Sequence, residues 1–294
     1  MLMNTVMTKA DIYMKENIEK ILIEGYLDVN PRPKYKDGTP ANTLSINHVM
    51  RTYNLSKGEF PITSLRPIAW KSAIKEILWI YQDQSNDLNL LREKYGVNYW
   101  NEWESKDMPN TIGARYGEVV RRYDLMNKLL DELKNDPYGR RHIIDLYQYK
   151  ELSETDGLYP CAFLTIWNVR KGEDDKEYLD MCLIQRSGDL LAASCSGVNE
   201  TQYAALMMMV ARHCNYEVGV FSHLVCNEQI YSRHEEQAKE MIRRYFVLKD
   251  NSNAKTPKLV LNPNKSNFYD FTIDDFTMED YEPIKPQIQF ELGI

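Results

Sequence analysis

Apolar residues recur at helical spacing in four stretches of the chain. Residues 68–84 (IAWKSAIKEILWIYQDQ) space apolar side chains at the intervals of a helix, and residues 121–137 are predicted to form a second helix. Residues 199–214 are long and apolar enough to form a buried helix, whereas residues 228–246 are amphipathic. The pattern therefore predicts four helices, and it places Glu76 inside the apolar first one.

Three other stretches favour β-strands: residues 140–149 (RRHIIDLYQY), 161–169 (CAFLTIWNV) and 177–187 (EYLDMCLIQRS). Turns rich in glycine or charge separate them, so we expect them to be neighbours in one sheet. Residues 269–294 alternate like short strands that are interrupted by proline. This mixture of elements indicates an α+β fold.

The chain shows no sign of a division into domains. Residues 30–45 (NPRPKYKDGTPANTLS) have the composition of a loop, and residues 97–120 are predicted to form an ordered loop. The clusters of proline and glycine are short enough to be turns, and there is no internal repeat. Since 294 residues allow one large domain or two smaller ones, we predict one domain over residues 1–294.

The composition is that of an ordinary globular protein, with 43% hydrophobic and 27% charged residues and a mean hydropathy of -0.53. No window approaches the roughly 18 consecutive apolar residues of a membrane-spanning helix. The N-terminal segment is charged where a signal peptide is apolar. We therefore expect a cytoplasmic protein with no membrane segment.

Cysteine content and charge narrow the chemistry further. The five cysteines are an odd number without CxxC spacing, which argues against a disulfide framework and a structural zinc site. We expect reduced thiols and no metal. The net charge of -7 makes nucleic acid an improbable partner, although it leaves room for a local basic pocket that binds a small anion.

Cys161 follows Pro160 at the head of a predicted strand (DGLYPCAFLTIW). Catalytic groups are often carried at the ends of rigid elements, so Cys161 is a candidate nucleophile. The alternative is a buried thiol that packs as a small hydrophobe, which is the usual state of a free cysteine. A reactive thiolate needs nearby cations, which Arg140 and Arg141 (GRRH) or Arg186 (QRSGD) could supply.

Three further features suggest ligand binding. An arginine beside a hydroxyl, as in Arg186 and Ser187, suits a phosphate, with a solvated surface pair as the alternative. Glu76 would lose solvation among its apolar neighbours, so its pKa could rise into the range that is useful for proton transfer, unless it lies at the helix edge. Trp100, Trp103 and Tyr116 form either an aromatic wall that binds a planar heterocycle or an aromatic patch of the core.

Taken together and in this order, these segments resemble the thymidylate synthase family. The resemblance runs from about residue 18 to residue 294 and is carried by RPKYKDGTPANTLS, AWKSAIKEILWI, YWNEW, ARYGEVVRRY, NDPYGRRHI, YPC, QRSGD, FYDFTIDDF and FELGI. It implies a single-domain fold in which helices pack on a mixed β-sheet, and it implies a homodimer.

The resemblance also implies reductive methylation of dUMP to dTMP, with 5,10-methylenetetrahydrofolate as cosubstrate and no metal. Cys161 would add to C6 of the pyrimidine and generate a carbanion at C5, which attacks the one-carbon unit. Hydride transfer from the same folate would then complete the methyl group and release dihydrofolate. Glu76 would organise water and proton transfers, and Tyr116 would assist removal of the C5 proton.

The family pattern assigns ligand contacts as well. Arg32, Arg186 and Ser187 would hold the phosphate, with Gln185 beside them in the nucleotide site. Arg140 and Arg141 would reach the phosphate of the neighbouring subunit, so that two chains build each site. The folate site would be formed by Trp100, Trp103, Leu158, Asp189 and Ile294, of which Asp189 would also serve catalysis and the C-terminal residues near Ile294 would close the site.

Two segments depart from the family pattern. The family motif Gly-Asp-x-His-x-Tyr, whose histidine and tyrosine bind the sugar 3'-hydroxyl, is replaced by residues 226–231 (CNEQIY). Tyr231 is retained, and Gln229 stands where the histidine is expected. Glutamine can still donate a hydrogen bond, but with a different reach, so the sugar or its binding could be altered.

The second departure follows QRSGD, where the chain reads LLAASCSGVNETQY, about two residues longer than the usual LGLPFN spacing to Tyr203. Either Asn199 or Gly197 therefore occupies the position that reads the base. Asn199 is preferred, because an amide can complement O4 and N3-H of uracil. The alternative role for Asn199 is to cap the following helix.

These departures leave two alternatives to dUMP methylation. A changed pocket could support 5-hydroxymethylation of dUMP, dCMP or CMP, if water attacks the methylene intermediate. The protein could also be a catalytically idle relative that binds a nucleotide or RNA, although the presence of Cys161, Glu76 and the arginines argues against this. Trp100, Trp103 and the hydrophobic tail favour a dry site and hydride transfer.

Overall fold

The computed structural model describes residues 7–293. Its helices are α1 (Lys9–Glu24), α2 (Trp70–Ile77), α3 (Leu88–Tyr95), α4 (Gly117–Tyr123), α5 (Leu125–Asn135), α6 (Tyr149–Glu154), α7 (Val198–Cys214) and α8 (Glu235–Lys249). Its strands are β1 (Tyr26–Leu27), β2 (Thr43–Asn54), β3 (Ile143–Asp145), β4 (Ala162–Lys171), β5 (Glu177–Gln185), β6 (Gly188–Asp189), β7 (Glu217–Tyr231), β8 (Lys258–Leu261) and β9 (Phe276–Glu279).

Seven of these strands form one mixed sheet in the order β1-β2-β7-β5-β4-β3, with β6 paired to β7. β7 is antiparallel to β2, from Thr43 opposite Tyr231 to Asn54 opposite Val220, and parallel to β5. β8 and β9 form a separate antiparallel pair. The predicted α+β class is confirmed, and the three predicted β-rich runs are neighbours as β3, β4 and β5.

The main core lies between the sheet and α7. Leu179, Met181 and Leu183 alternate along β5 and are fully buried on one face, as the two-residue period of a strand requires. They belong to the same apolar cluster as most of α7, which is buried on nearly all sides. The strong apolar character of residues 199–214 is thus explained, since α7 packs against both the sheet and α2.

Two predicted helices are interrupted. The stretch 68–84 forms α2 and then a π-helical turn over Leu78–Gln82, so that Glu76 lies in the last turn before the helix widens. The stretch 121–137 forms α4 and α5, which are separated by Asp124 in the left-handed conformation (φ 52°). Asn127 Nδ2 donates a hydrogen bond to Asp124 Oδ1 at 2.7 Å, which stabilises this break locally.

Other boundaries were predicted wrongly. Residues 228–231 end β7, and the helix predicted over 228–246 begins only at Glu235. The predicted loop 30–45 contains the start of β2, the run 140–149 contributes only β3 to the sheet, and residues 284–293 form no strand. β2 and the first part of β7 were missed because their buried faces include polar side chains, which disrupt the alternation of apolar residues.

Two further properties concern the described residues. No helix within residues 7–293 combines the length and the apolar character needed to cross a membrane. All five cysteines are free thiols.

The packing of β5 leads to a stability prediction. Replacing Leu183 by alanine removes a fully buried side chain from the main core and should lower the free energy of unfolding by about 3 kcal/mol. Val247, which is 64% exposed on α8, provides the control, since Val247→Ala should change it by less than about 0.5 kcal/mol. Urea denaturation measures both, and equal effects would contradict the assignment of the core.

Candidate active site

A cavity of about 320 Å³ opens between α2, α7 and the turn Tyr99–Trp103. It combines a mostly apolar wall with a few polar groups, as small-molecule sites commonly do. Seven residues singled out from the sequence line it: Glu76, Trp100, Trp103, Tyr116, Leu158, Cys161 and Asn199. Residues separated by more than 120 positions along the chain thus meet at one site.

Cys161 immediately precedes β4 and faces this cavity. Arg186, which directly follows β5, binds the loop that precedes Cys161. Its Nε donates a hydrogen bond to Pro160 O at 2.9 Å, and its Nη2 donates one to Tyr159 O at 2.8 Å. The same Nη2 lies 3.4 Å from Cys161 Sγ. The Cys161 backbone N–H donates to Tyr116 Oη at 3.2 Å. The thiol is therefore held between a guanidinium and a phenol on a rigid strand end.

The electrostatics around the thiol act in opposite directions. Burial raises the pKa of Cys161, while the guanidinium groups of Arg186 and Arg32 act to lower it. The net direction is upward.

Glu76 is 7% exposed and presents its carboxylate to the cavity. Burial raises its pKa to about 7, and hydrogen-bond donors nearby limit the rise. The Tyr99 hydroxyl donates to Glu76 Oε2. A buried carboxyl group whose pKa lies close to neutrality can both accept and release protons at physiological pH.

Two more donors surround this carboxyl group. Within residues 7–293, the indole N–H of Trp100 and the amide nitrogen of Gln202, Nε2, are buried without a hydrogen-bond partner. Both act on Glu76 in the direction that lowers its pKa, so they lie close to the carboxylate. Unpaired buried donors are costly, and a polar ligand group or an ordered water at this position would satisfy them.

One wall of the cavity is aromatic. Trp100 contacts Trp103 and Tyr116 edge to face, with ring centroids 5.7 Å and 5.4 Å away. Tyr116 has a φ of 45°, which is uncommon for a residue with a side chain. Gly117 follows it and passes so close to the Ser85 backbone that a Cβ atom would clash. This packing holds Tyr116 in its strained conformation, with its hydroxyl beside Cys161.

A second, polar cleft of about 590 Å³ adjoins the first. Three basic residues line it, Arg32, Lys106 and Arg186, and three acidic ones, Glu102, Glu104 and Asp156, so its formal charge is balanced. Trp103 and Leu158 line both clefts. Two arginines thus line this polar cleft, although it is not basic as a whole.

The structure distinguishes Asn199 from Gly197. Gly197 occupies the N-cap position of α7, whereas Asn199 lies within the first turn and lines the cavity. Asn199 Oδ1 accepts a hydrogen bond from Gln185 Nε2, and Asn199 Nδ2 donates to Gln202 Oε1, both at 3.2 Å. The capping alternative for Asn199 is therefore wrong. A π-helical turn over Leu190–Ser194 lies in the segment that is longer than the family pattern.

Other predicted residues lie outside the two clefts. Arg140 and Arg141 are exposed before β3, and Gln185 lies behind Asn199. Asp189 accepts hydrogen bonds from the N–H groups of Leu191 and Ala192 at 3.1 Å, and burial raises its pKa to about 6. The remaining members of this group are Ser187 and Gln229, with intermediate exposure, and Tyr231, which packs against Tyr35 and His234.

Gln202, Tyr99 and Leu292 are among the residues that line the cavity and that the sequence did not single out. Gln202 follows Asn199 by one helical turn, a spacing that could have indicated it. Tyr99 stands beside Trp100 in an irregular turn, where no periodicity shows which way a side chain points. Leu292, in the C-terminal tail, also lines the cavity. Ile294, the tail residue that was predicted for the folate site, lies outside the described residues.

Metal ligation has no candidate in the part of the chain that the structure describes. No group of three or more histidine, cysteine, aspartate or glutamate side chains there is arranged to hold a metal ion. The polar groups of the cavity are instead a thiol, a carboxyl group, two amides and phenols. They suit covalent and acid-base chemistry on an organic ligand.

Known proteins are similar to this chain in sequence and in fold. The family described as thymidylate synthase matches residues 12–294. The chain is 53% identical over 289 residues to a thymidylate synthase of Streptococcus pneumoniae (strain 70585) and 51% identical over 289 residues to one of Streptococcus gordonii (strain Challis), in each case covering 98% of this chain and all of the relative.

A solved structure agrees with these sequence matches. The thermostable thymidylate synthase A from Bacillus subtilis superposes with a TM-score of 0.85 at 33% identity, and the match covers 97% of this chain and 99% of that one. The geometry of the cavity and the full-length similarity lead to one conclusion: the chain belongs to the thymidylate synthase family.

Proposed function

We propose that the protein transfers a one-carbon group to C5 of dUMP, with 5,10-methylenetetrahydrofolate as cosubstrate, and releases dTMP and dihydrofolate. The observation that carries this proposal is the position of Cys161 beside Arg186, Tyr116 and Glu76 in a cavity with an aromatic wall. The relatives, which are named thymidylate synthases, favour methylation over hydroxymethylation and over an idle binding protein.

Cys161 is the nucleophile in this proposal. Its thiolate adds to C6 of the pyrimidine, and the electron pair of the C5–C6 double bond moves to C5 and the adjoining carbonyl. Arg186, 3.4 Å from the sulfur, favours the thiolate. The phosphate of the nucleotide binds to Arg32 and Arg186, which line the polar cleft, and Ser187, the next residue after Arg186, contributes a hydroxyl from outside that cleft.

Glu76, Tyr116 and Asn199 handle the base. Asn199 offers an amide to its edge, while Glu76 relays protons through the donors around it. The Tyr116 hydroxyl, which already accepts a hydrogen bond from the backbone N–H of Cys161, assists removal of the C5 proton. Gln229 and Tyr231 bind the sugar, and Gln185 positions Asn199.

The folate supplies the one-carbon unit and the hydride. Trp100, Trp103 and Leu158 form an apolar wall that suits its fused ring, and the unpaired indole N–H of Trp100 offers a donor in the same wall. Asp189 contributes the acidic group of this site. The C-terminal residues, including Ile294, close over the ligands and exclude water, and Leu292 already lines the cavity.

The proposal includes a cytoplasmic homodimer with one catalytic domain, residues 1–294, in each subunit. Arg140 and Arg141 are exposed in the single chain and line neither cleft, which supports a role in the site of the other subunit. Guanidinium groups that are delivered across an interface would complete the phosphate site.

The first prediction concerns the product. Incubation with methylenetetrahydrofolate and dUMP should add one CH2 to the nucleotide, as seen by mass spectrometry, with equimolar dihydrofolate followed by absorbance. Parallel incubations with dCMP, UMP and CMP test the base and the sugar. A gain of CH2O without dihydrofolate would instead establish a hydroxymethylase.

Cys161→Ser separates catalysis from binding. The serine hydroxyl is a far weaker nucleophile, so turnover should be abolished while binding of dUMP persists. Undiminished turnover would remove Cys161 from the mechanism. Wild-type protein that binds dUMP without turnover would establish the idle relative.

The second prediction concerns the shared site. Arg140→Ala/Arg141→Ala and Cys161→Ser should each be inactive, but their mixed dimers should regain about a quarter of wild-type activity, because one site in each heterodimer is then intact. Mixing Cys161→Ser with Glu76→Gln is the control, since both residues line the same cavity and no intact site forms. No recovery in the first mixture would contradict a contribution from the second subunit.

The third prediction concerns Glu76. Tyr99→Phe removes the hydroxyl that donates to the carboxylate, which favours the protonated form and should raise the pKa of Glu76 by roughly one pH unit. The acidic limb of the pH profile of kcat should move upward accordingly. Tyr95→Phe is the matched control, because that hydroxyl donates to Asp83 away from the cavity. An unchanged profile for Tyr99→Phe would show that Tyr99 does not act on Glu76.

A further inference from the structure

Gln202, in the second turn of α7, brings an unused hydrogen-bond donor to the cavity. Its side chain is 2% exposed and lines the cavity together with Asn199, which precedes it by three residues on the same face of the helix. Within residues 7–293, Gln202 Nε2 is buried and has no hydrogen-bond partner. Such a group costs stability, and a bound ligand could supply the missing acceptor. The catalytic steps proposed above assign it no contact with a ligand.

A chain of hydrogen bonds fixes the orientation of the Gln202 amide. It begins at the carbonyl oxygen of Ser187, which can only accept and takes a hydrogen bond from Gln185 Nε2 at 2.9 Å. The same nitrogen donates to Asn199 Oδ1, and Asn199 Nδ2 donates to Gln202 Oε1, both at 3.2 Å. Reversing the amide of Asn199 or Gln202 would set two donors face to face. Gln202 Oε1 is therefore engaged by Asn199, and Nε2 is the free end.

The same chain places Gln202 on one side of the base that Asn199 reads. An asparagine amide complements uracil when its nitrogen donates to O4 and its oxygen accepts from N3–H. Asn199 Oδ1 lies beside Gln185, whereas Asn199 Nδ2 lies beside Gln202. Nδ2 carries two hydrogens, one for Gln202 Oε1 and one for O4. Gln202 is therefore the neighbour of Asn199 on the O4 side of the base.

Negative charge develops at O4 during the proposed reaction. When the Cys161 thiolate bonds to C6, the electron pair of the C5–C6 double bond moves to C5 and is shared with the adjoining carbonyl, so that O4 becomes an enolate oxygen. The C4 carbonyl forms again when the pair at C5 bonds to the one-carbon unit. Donors that are already aimed at such an oxygen stabilise the transition state that leads to it.

Few other donors in the cavity are available to O4. Among the described residues that line the cavity, none is cationic. The hydroxyl groups of Tyr99 and Tyr203 already have partners. In the proposed reaction Tyr116 assists removal of the C5 proton, and the indole N–H of Trp100 belongs to the folate wall. Gln202 Nε2 is thus the buried donor that remains for O4.

Glu76 is the other group that the Gln202 amide can serve. Gln202 acts on Glu76 in the direction that lowers its pKa, so the amide lies near this carboxylate. Nε2 carries two hydrogens, so a hydrogen bond to Glu76 leaves one hydrogen for O4. The two contacts have different consequences. A donor to Glu76 changes the pKa of that group, whereas a donor to O4 changes the stability of the enolate.

We propose that Gln202 is a catalytic residue, whose Nε2 donates a hydrogen bond to O4 of the pyrimidine and stabilises the enolate that forms when Cys161 adds to C6. This inference rests on the proposed function, because the substrate is taken to be dUMP. The amide donates a hydrogen bond and gives up no proton, so the electron pair that leaves the C5–C6 double bond is the only charge that moves.

Gln202→Met tests the proposal, because methionine has a similar length and no N–H group. Loss of one donor to the enolate oxygen should lower kcat roughly a hundredfold, whereas the dissociation constant of dUMP should change by less than about fivefold. Thr201→Val is the matched control and should keep the wild-type kcat. Thr201 is the neighbour of Gln202 on α7 and is also buried with an unpaired side-chain oxygen, but it does not line the cavity. A wild-type kcat in folded Gln202→Met would overturn the proposal.

Replacing O4 by sulfur separates a donor to the enolate from a structural role. Sulfur accepts hydrogen bonds weakly, so the loss of kcat caused by Gln202→Met should be at least about tenfold smaller with 4-thio-dUMP than with dUMP. Equal losses with both substrates would overturn the proposal, because they would show that Gln202 acts on the fold or through Glu76. A displaced pH profile of kcat would identify Glu76 as the cause.

A spectroscopic measurement covers the case in which Gln202→Met does not fold. Gln202→Asn is a smaller change that withdraws the amide by one methylene. The C4 carbonyl stretch of bound dUMP, isolated by oxygen-18 labelling in infrared difference spectra, should move to higher frequency in Gln202→Asn than in the wild type, because the hydrogen bond to O4 is lost. An unchanged frequency would overturn the proposal. Wild-type protein that binds dUMP but forms no methylated product would refute the proposed function instead, and the spectra would still report the contact with Gln202.

Discussion

The coordination of two buried carboxylates by Arg51 is the interaction on which the rest of the structure depends. From β2, its guanidinium reaches Glu200 on α7 and Glu228 on β7, so that three elements meet at one planar group. Removing one partner of such a pair leaves an uncompensated buried charge, at a cost of about 3–5 kcal/mol. The start of α7 is therefore fixed relative to the sheet, and Asn199 is fixed with it.

Buried polar side chains also explain what the sequence could and could not predict about the fold. β5 was predictable because its buried positions alternate and are mostly apolar, and α7 because it carries a long apolar run. β7 was missed because His223 in its middle and Glu228 near its end occupy buried positions and read as surface residues. Polar groups that pair only with distant residues leave no local trace, so these strands emerge only after the chain has folded.

The cavity shows the same division. Cys161 and Glu76 were predictable because each has an unusual local setting, a thiol after proline and a carboxylate among apolar residues. Tyr99 and Gln202 were not, since their importance lies in their distance to Glu76 rather than in their own surroundings. Local signals thus pointed to Cys161 and Glu76 as cavity residues, whereas the neighbours that act on Glu76 are brought to it by tertiary contacts.

Trp103 and Leu158 line both the apolar cavity and the polar cleft, so the two clefts have a common partition. A ligand that settles against one side of this partition alters the surface that is offered to a ligand on the other side. The binding free energies of the two ligands are then coupled, and by thermodynamic reciprocity each ligand changes the affinity of the other by the same factor.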